Sequence, residues 1–174
     1  MNFRRVLFAA AVVSACALAT GRAHAQQIFL EISGVQGEVV TPAAFANQIE
    51  VLSLSFGGSK PCGSGSLSVS DVALMKRTDK SSVDLSLGLR DGTVYPTATL
   101  RFTRSDGQVY QSYQMNNAVV TSLQTSGSAG GDPRTTESVT FAFASMIVTY
   151  TYFDGAGKQQ GGPESMTFTS GSCP

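Results

Sequence analysis

Residues 68–100 read SVSDVALMKRTDKSSVDLSLGLRDGTVYPTATL, and how this stretch is parsed decides the fold. It opens strand-like over residues 69–75 and then breaks at the polar run Lys76-Arg77-Thr78-Asp79-Lys80. A short segment follows, closed by Asp91-Gly92, and an outgoing strand starts near Ala98. The rest of the chain reads as strands and turns, so residues 81–90 are the one candidate helix. Two readings compete there. Val83, Leu85, Leu87 and Leu89 alternate strictly, which is the period of a strand. Against this, Ser81 with Asp84 three residues on fits a capping box, and Gly92 stands where a helix end wants a left-handed residue. Local physics leaves the two open.

Outward from this stretch the pattern is β. Residues 28–32 form a short apolar strand ended by Ser33-Gly34. Residues 35–47 hold Gly37 and Pro42 without a sustained period and read as a loop with at most a turn of helix. Residues 48–56, QIEVLSLSF, alternate with one phase slip, the sign of a bulge. Residues 57–66, GGSKPCGSGS, form an exposed loop by composition. Farther on, Ala98, Leu100 and Phe102 alternate, and Ser105-Asp106-Gly107 is a hairpin signal. Residues 109–123 follow as a long strand whose expected core is Tyr113, Met115, Val119 and Val120. After a second Gly/Ser loop, residues 138–153 read as the longest β run, with a change of face near Met146, and residues 166–169 as a last edge strand. About eight strands with regular turn signals and one short helix predict a mainly β barrel or sandwich.

The first 25 residues stand apart. Arg4 and Arg5 precede an apolar stretch over residues 6–19, and Ala23-His24-Ala25 is a small-x-small site ahead of Gln26. This is the pattern of a secretory leader cleaved between Ala25 and Gln26, too short for a stable membrane span. Val13-Ser14-Ala15-Cys16 offers a second reading, a lipobox that would place a lipid, and so a membrane anchor, on Cys16. Both readings take the chain out of the cytosol, to the periplasm or beyond. The mature chain, residues 26–174, is then one domain of 149 residues.

Removing the leader takes away three of 12 basic residues against 12 acidic ones, leaving a net charge of −3. No basic run remains, which argues against a nucleic-acid partner. His24, the single histidine, also goes, and with it histidine-based triads and most zinc sites. Asp71, Asp79 and Asp84 read as caps and turn formers, and Gly57-Gly58-Ser59-Lys60 lacks phosphate-loop spacing. No catalytic, metal or cofactor residues are expected. Cys62 and Cys173 remain as an even pair in an exported domain, a disulfide candidate within one chain or between chains.

These residues resemble the Hcp family, which builds the inner tube of the bacterial type VI secretion system. Residues 28–38 are similar to its opening strand and Gly-x-x-Gly turn. Residues 49–57 resemble a signature that usually carries tryptophan, with Leu54 and Phe56 at the aromatic positions. Residues 76–82, the polar turn into the helix, residues 133–143 and Val148-Thr149-Tyr150 complete the likeness, in family order. The resemblance implies a compact β-barrel of two antiparallel sheets with one flanking short helix, placed at residues 82–91. It also implies a homohexameric ring with a central channel, and rings that stack. Residues 57–66 would reach toward the neighbouring ring, which makes Gly57, Gly58, Ser59 and Lys60 ring-contact candidates and Cys62 with Cys173 a candidate tether. Secreted effector cargo or other secretion-system components are the implied partners. The leader departs from the family pattern, since the tube assembles in the cytosol. The alternative is therefore a monomeric exported binding or adaptor module.

Overall fold

The computed structural model describes residues 26–63, 65, 67–130 and 134–169. The expected leader, residues 1–25 with Cys16 and Ala25, and also Pro133 and Cys173, lie outside the described residues.

Strands β1 (Gln27–Ile32), β2 (Ile49–Ser55), β5 (Val72–Arg77), β6 (Val94–Thr103), β7 (Val109–Ser126) and β8 (Thr136–Ala142) form an antiparallel barrel. Its order is β7-β6-β1-β2-β5-β8, and a second pairing of β8 with β7 closes it. Closure is possible because β7 is 18 residues long and serves two neighbours on one edge. Its first half pairs with β9 (Ser145–Tyr150), and its second half pairs with β8. Strand β10 (Glu164–Thr169) pairs with β9 and forms the outer edge of this flap. A two-stranded ribbon, β3 (Gly58–Ser59) with β4 (Ser68–Val69), stands apart from the barrel. Closing the barrel leaves fewer exposed sheet edges, the usual sites of unwanted strand pairing.

Alternation fills the interior. Leu30 and Ile32, Ile49 and Val51, Val72 and Leu74, Ala98, Leu100 and Phe102, Met115 and Val120, and Val139 and Phe141 all point inward and are buried. Each large apolar side chain so buried contributes about 1.5–3 kcal/mol. The expected slip in the second strand is real: the β2–β5 register shifts between Val51 and Ser53, which turns Leu52 out to solvent.

Several details differ from the sequence-based expectation. The outgoing strand starts at Val94, not near Ala98, because Tyr95 is buried against the helix and Pro96 is tolerated. Pro96 lies beyond the last β1 partner, Ala98, so its missing N–H removes no bond to that strand. On the other side, Pro96 and Asn117 fall between the pairs Tyr95–Ala118 and Thr97–Asn116. Asn117 has φ 50°, and the resulting irregularity buries Ala118 and leaves Val119 only half-buried. Finally, residues 138–153 are two strands and not one. The chain turns at Phe143-Ala144, where Ala144 donates its N–H to Asn116 O at 3.0 Å, and passes from one half of β7 to the other.

The contested segment is helix α1 (Ser81–Asp91), which packs against β7. Its buried residues, Ser81, Ser82, Leu85 and Gly88, recur at helical spacing, so the strict alternation of apolar residues does not mark the buried face. Leu85 is fully buried, while Val83, Leu87 and Leu89 face outward. Gly92 ends the helix in the left-handed conformation (φ 63°, ψ 35°), donating its N–H to Gly88 O, as the sequence indicated. The N-terminal cap differs from the expected Ser81/Asp84 box. Asp79 Oδ1 accepts the Ser81 N–H at 3.0 Å, and Ser82 Oγ accepts the Asp79 N–H at 3.1 Å. The reciprocal box sits two residues earlier in the chain, because Asp79 and Ser82 are the pair that also reach a buried cation.

Candidate functional site: a buried charge clamp and the outward-facing elements

That cation is Lys76, the penultimate residue of β5. Its side chain is fully buried. The register places Lys76 opposite Glu137 of β8, and its Nζ lies 2.8 Å from Glu137 Oε2. The same Nζ lies 2.8 Å from Asp79 Oδ1 and donates to Ser82 Oγ at 3.0 Å. Ser82 Oγ in turn donates to Glu137 Oε2 at 2.7 Å. One ammonium is thus held by two carboxylates and a hydroxyl with both acidic side chains nearly buried, which meets the requirement that a buried charge be paired and hydrogen-bonded. The geometry ties β5, β8 and the first turn of α1 together at one point. A rim of exposed pairs surrounds it: Arg77 with Glu50 and Arg134 with Glu38, each at 3.7 Å, and the Lys80 N–H donating to Glu38 Oε1 at 3.0 Å.

The far side of the helix is held by a close approach. A Cβ on Gly88 would stand 2.1 Å from Tyr95 Oη, so only glycine lets the tyrosine ring pass. Burial first, and then the negative charge of Asp84, push the Tyr95 phenol above its ordinary value of 10.0. The hydroxyl therefore stays a donor, reaching Asp84 O at 3.4 Å.

The ring-contact candidates Gly57, Gly58, Ser59 and Lys60 are all exposed. Gly58 and Ser59 are β3 of the ribbon, and the bond from Ser70 N to Gly57 O (2.8 Å) closes its base. Composition suggested only a flexible loop; the short ladder within it was not legible, because two-residue strands carry no period. Phe56 roots the ribbon in the body of the protein. Its ring meets Phe168 at 5.5 Å, Tyr113 at 6.1 Å and Phe143 at 6.2 Å between centroids. Cys62 is exposed near the ribbon tip. Its candidate partner, Cys173, lies outside the described residues. Gln26, the first residue after the expected cleavage point, is exposed beside the barrel, and its side-chain amide donates to the Tyr110 hydroxyl.

No group of three or more metal-ligating side chains occurs among the described residues, and no helix there is long and apolar enough to cross a membrane. A closed barrel with its charged cluster turned inward as a clamp, and a ribbon and a half-apolar helix face turned outward, defines a mainly β protein of the β-barrel class.

The chain belongs to the Hcp family of the type VI secretion system: the family model described as "Type VI secretion system effector, Hcp" matches residues 29–150. The chain is 33% identical over 150 residues to Protein hcp1 of Pseudomonas aeruginosa, covering 80% of this chain and 91% of that protein. Among solved structures, one described as a type six secretion system protein superposes with a TM-score of 0.75 at 27% identity, covering 81% of this chain and 94% of the other. Hcp1 from Salmonella typhimurium superposes with a TM-score of 0.71 at 26% identity, covering 84% and 95%. The chain thus belongs to the tube-component family of the type VI secretion system.

Proposed function

We propose that the mature chain, residues 26–174, is exported through its own leader and assembles outside the cytosol as a homohexameric, ring-forming tube protein without enzymatic function. The observation that carries this reading is the extent of the likeness: 91% of the length of a P. aeruginosa Hcp protein is covered, and the family model runs over residues 29–150. The elements that would meet a neighbour are the ribbon, with Gly57, Gly58, Ser59 and Lys60, and the outer face of α1. Cys62 near the ribbon tip and Cys173 on the tail supply a covalent tether between subunits, and an oxidising compartment would keep it closed. Effector cargo or other secretion components are the partners this reading implies.

Light scattering of the mature chain, with and without reductant, tests it. A mass near six subunits is expected, and dissociation on reduction adds the cysteine tether. A monomer in both conditions overturns the ring and favours the monomeric adaptor. The N-terminal residue of the exported protein tests the leader: Gln26 is expected, and a lipid-modified Cys16 would replace that reading.

A further inference from the structure

Cleavage of the expected leader would leave a glutamine at the head of the chain, and its place in the fold is defined. Strand β1 is fixed from its first residue: Gln27 pairs with Thr103 in the β1–β6 ladder, and the Thr103 hydroxyl donates to Gln27 O at 3.2 Å. Gln26 therefore overhangs the barrel by one residue and is exposed. Its side-chain amide is not loose. Nε2 donates to the hydroxyl of Tyr110, the half-buried second residue of β7. Burial first, and then the neighbouring phenols Tyr113 and Tyr150, hold the Tyr110 hydroxyl above its ordinary value of 10.0, against the lowering effect of the Gln26 bond. The phenol therefore keeps its proton at neutral pH.

A terminal glutamine carries a nucleophile and its own electrophile. The α-amine, with an ordinary pKa of about 8, is partly unprotonated at neutral pH. Attack on its own Cδ closes a five-membered ring by rotation about the bonds of one residue, so no other segment has to approach, and the step is first-order. The exposed overhang leaves those rotations free. We infer that the exported chain begins with pyroglutamate at position 26, formed from Gln26 with loss of ammonia beside the Tyr110 hydroxyl. The inference rests on cleavage between Ala25 and Gln26. Its balance needs no co-reactant. The amine nitrogen bonds to Cδ and releases one proton, the Cδ–Nε2 bond breaks, and Nε2 leaves as ammonia. Tyr110 touches Nε2, so it gives its phenol proton to the departing nitrogen and is restored by the proton that the amine released. The product is a neutral lactam at the foot of β1. A chain end without an α-ammonium carries one positive charge fewer and is closed to aminopeptidases.

Export of the full-length protein from a bacterial host, followed by mass spectrometry of the intact chain and fragmentation of its first peptide, tests this. The expected mass is that of residues 26–174 less one ammonia, about 17 Da, with the loss located on residue 26. Stepwise N-terminal sequencing should be blocked until a pyroglutamyl peptidase opens the chain at Gln27. A free Gln26 that persists through prolonged incubation at neutral pH overturns the inference and leaves the cleavage reading in place. A terminus at another residue, including a lipid-modified Cys16, overturns both. Gln26→Ala is expected to show full mass, which separates ring closure from ammonia lost at Asn116 or Asn117. For Tyr110, chain collected in the cold is followed over time. Ring closure in the folded wild type is expected to be faster by about tenfold or more than in Tyr110→Phe or in wild type unfolded in urea. Equal rates overturn the role given to Tyr110, and the comparison of folded with unfolded wild type decides this even if the variant fails to fold.

Discussion

Gly88→Ala sets two physical effects of opposite sign against each other. Helix propensity alone makes alanine better than glycine in a helix interior by about 1 kcal/mol. The tertiary contact says the reverse. The new Cβ would meet Tyr95 Oη at 2.1 Å, Cζ at 3.0 Å and Cε2 at 3.3 Å, and these atoms belong to a rigid ring and not to a flexible end. Reaching ordinary contact distance requires α1 and the ring to part by more than about 1 Å. Leu85, fully buried one turn earlier, cannot follow such a shift without losing its packing. Overpacking of this kind costs about 1–3 kcal/mol, so the net is a loss of about 1–2 kcal/mol once propensity is subtracted. For a domain of this size that corresponds to a Tm lower by about 2–8 °C. Urea unfolding followed by far-UV circular dichroism should show a lower midpoint at unchanged slope. Adding Tyr95→Phe removes the closest atom and should recover part of the loss, a coupling of about 0.5–2 kcal/mol in a double-mutant cycle. A Gly88→Ala protein more stable than wild type by about 1 kcal/mol, or strictly additive with Tyr95→Phe, would refute the close-approach argument.

Lys76→Met leaves Asp79 and Glu137 buried without their cation and should cost about 3–5 kcal/mol; pairing it with Glu137→Leu should recover part of this in the same urea assay, and no recovery would speak against the clamp. Phe56→Ala removes the aromatic root of the ribbon, so hydrogen exchange at the Ser70 amide should quicken by tenfold or more, about 1.4 kcal/mol of local opening, while amides of β1 keep their protection. Asp154 accepts the Lys158 amide, then the Gln160 side chain and the Ala156 amide, and these hold its carboxyl below the ordinary 3.8. A lowered folded value stabilises the turn above the ordinary value and loses that contribution as pH falls through the folded one. The Lys158 amide resonance should therefore titrate with a midpoint under 3.8, and Asp154→Asn should abolish the transition; a midpoint above that value would contradict the cause assigned.

Much of the barrel was legible locally. Burial of one face of a strand imposes a two-residue period, and Ala98, Leu100 and Phe102 all fall inside as their alternation requires. The bulge in β2, the Gly92 helix end and the Asp106-Gly107 turn were legible too, because each rests on backbone chemistry carried by one or two residues. The helix itself was not. An apolar alternation at Val83, Leu85, Leu87 and Leu89 misleads because only Leu85 meets the barrel, while small residues, Ser82 and Gly88, fill the rest of the buried face. The clamp was harder still. Lys76, Asp79 and Ser82 are neighbours in the chain, but Glu137 arrives from 61 residues away, and Asp79 read as an ordinary cap until that partner was in place.

By itself the sequence determined a mainly β protein with a secretory-type leader pattern, two cysteines after it, and motifs in the order of the Hcp family. These are properties of adjacent residues and of their spacing. The tertiary structure decided which strand closes the barrel, where residues 138–153 fold back, how close the helix lies and which charges are buried together. Those depend on contacts between distant segments, whose energy is realised only when the chain has already brought them within a few ångströms of each other.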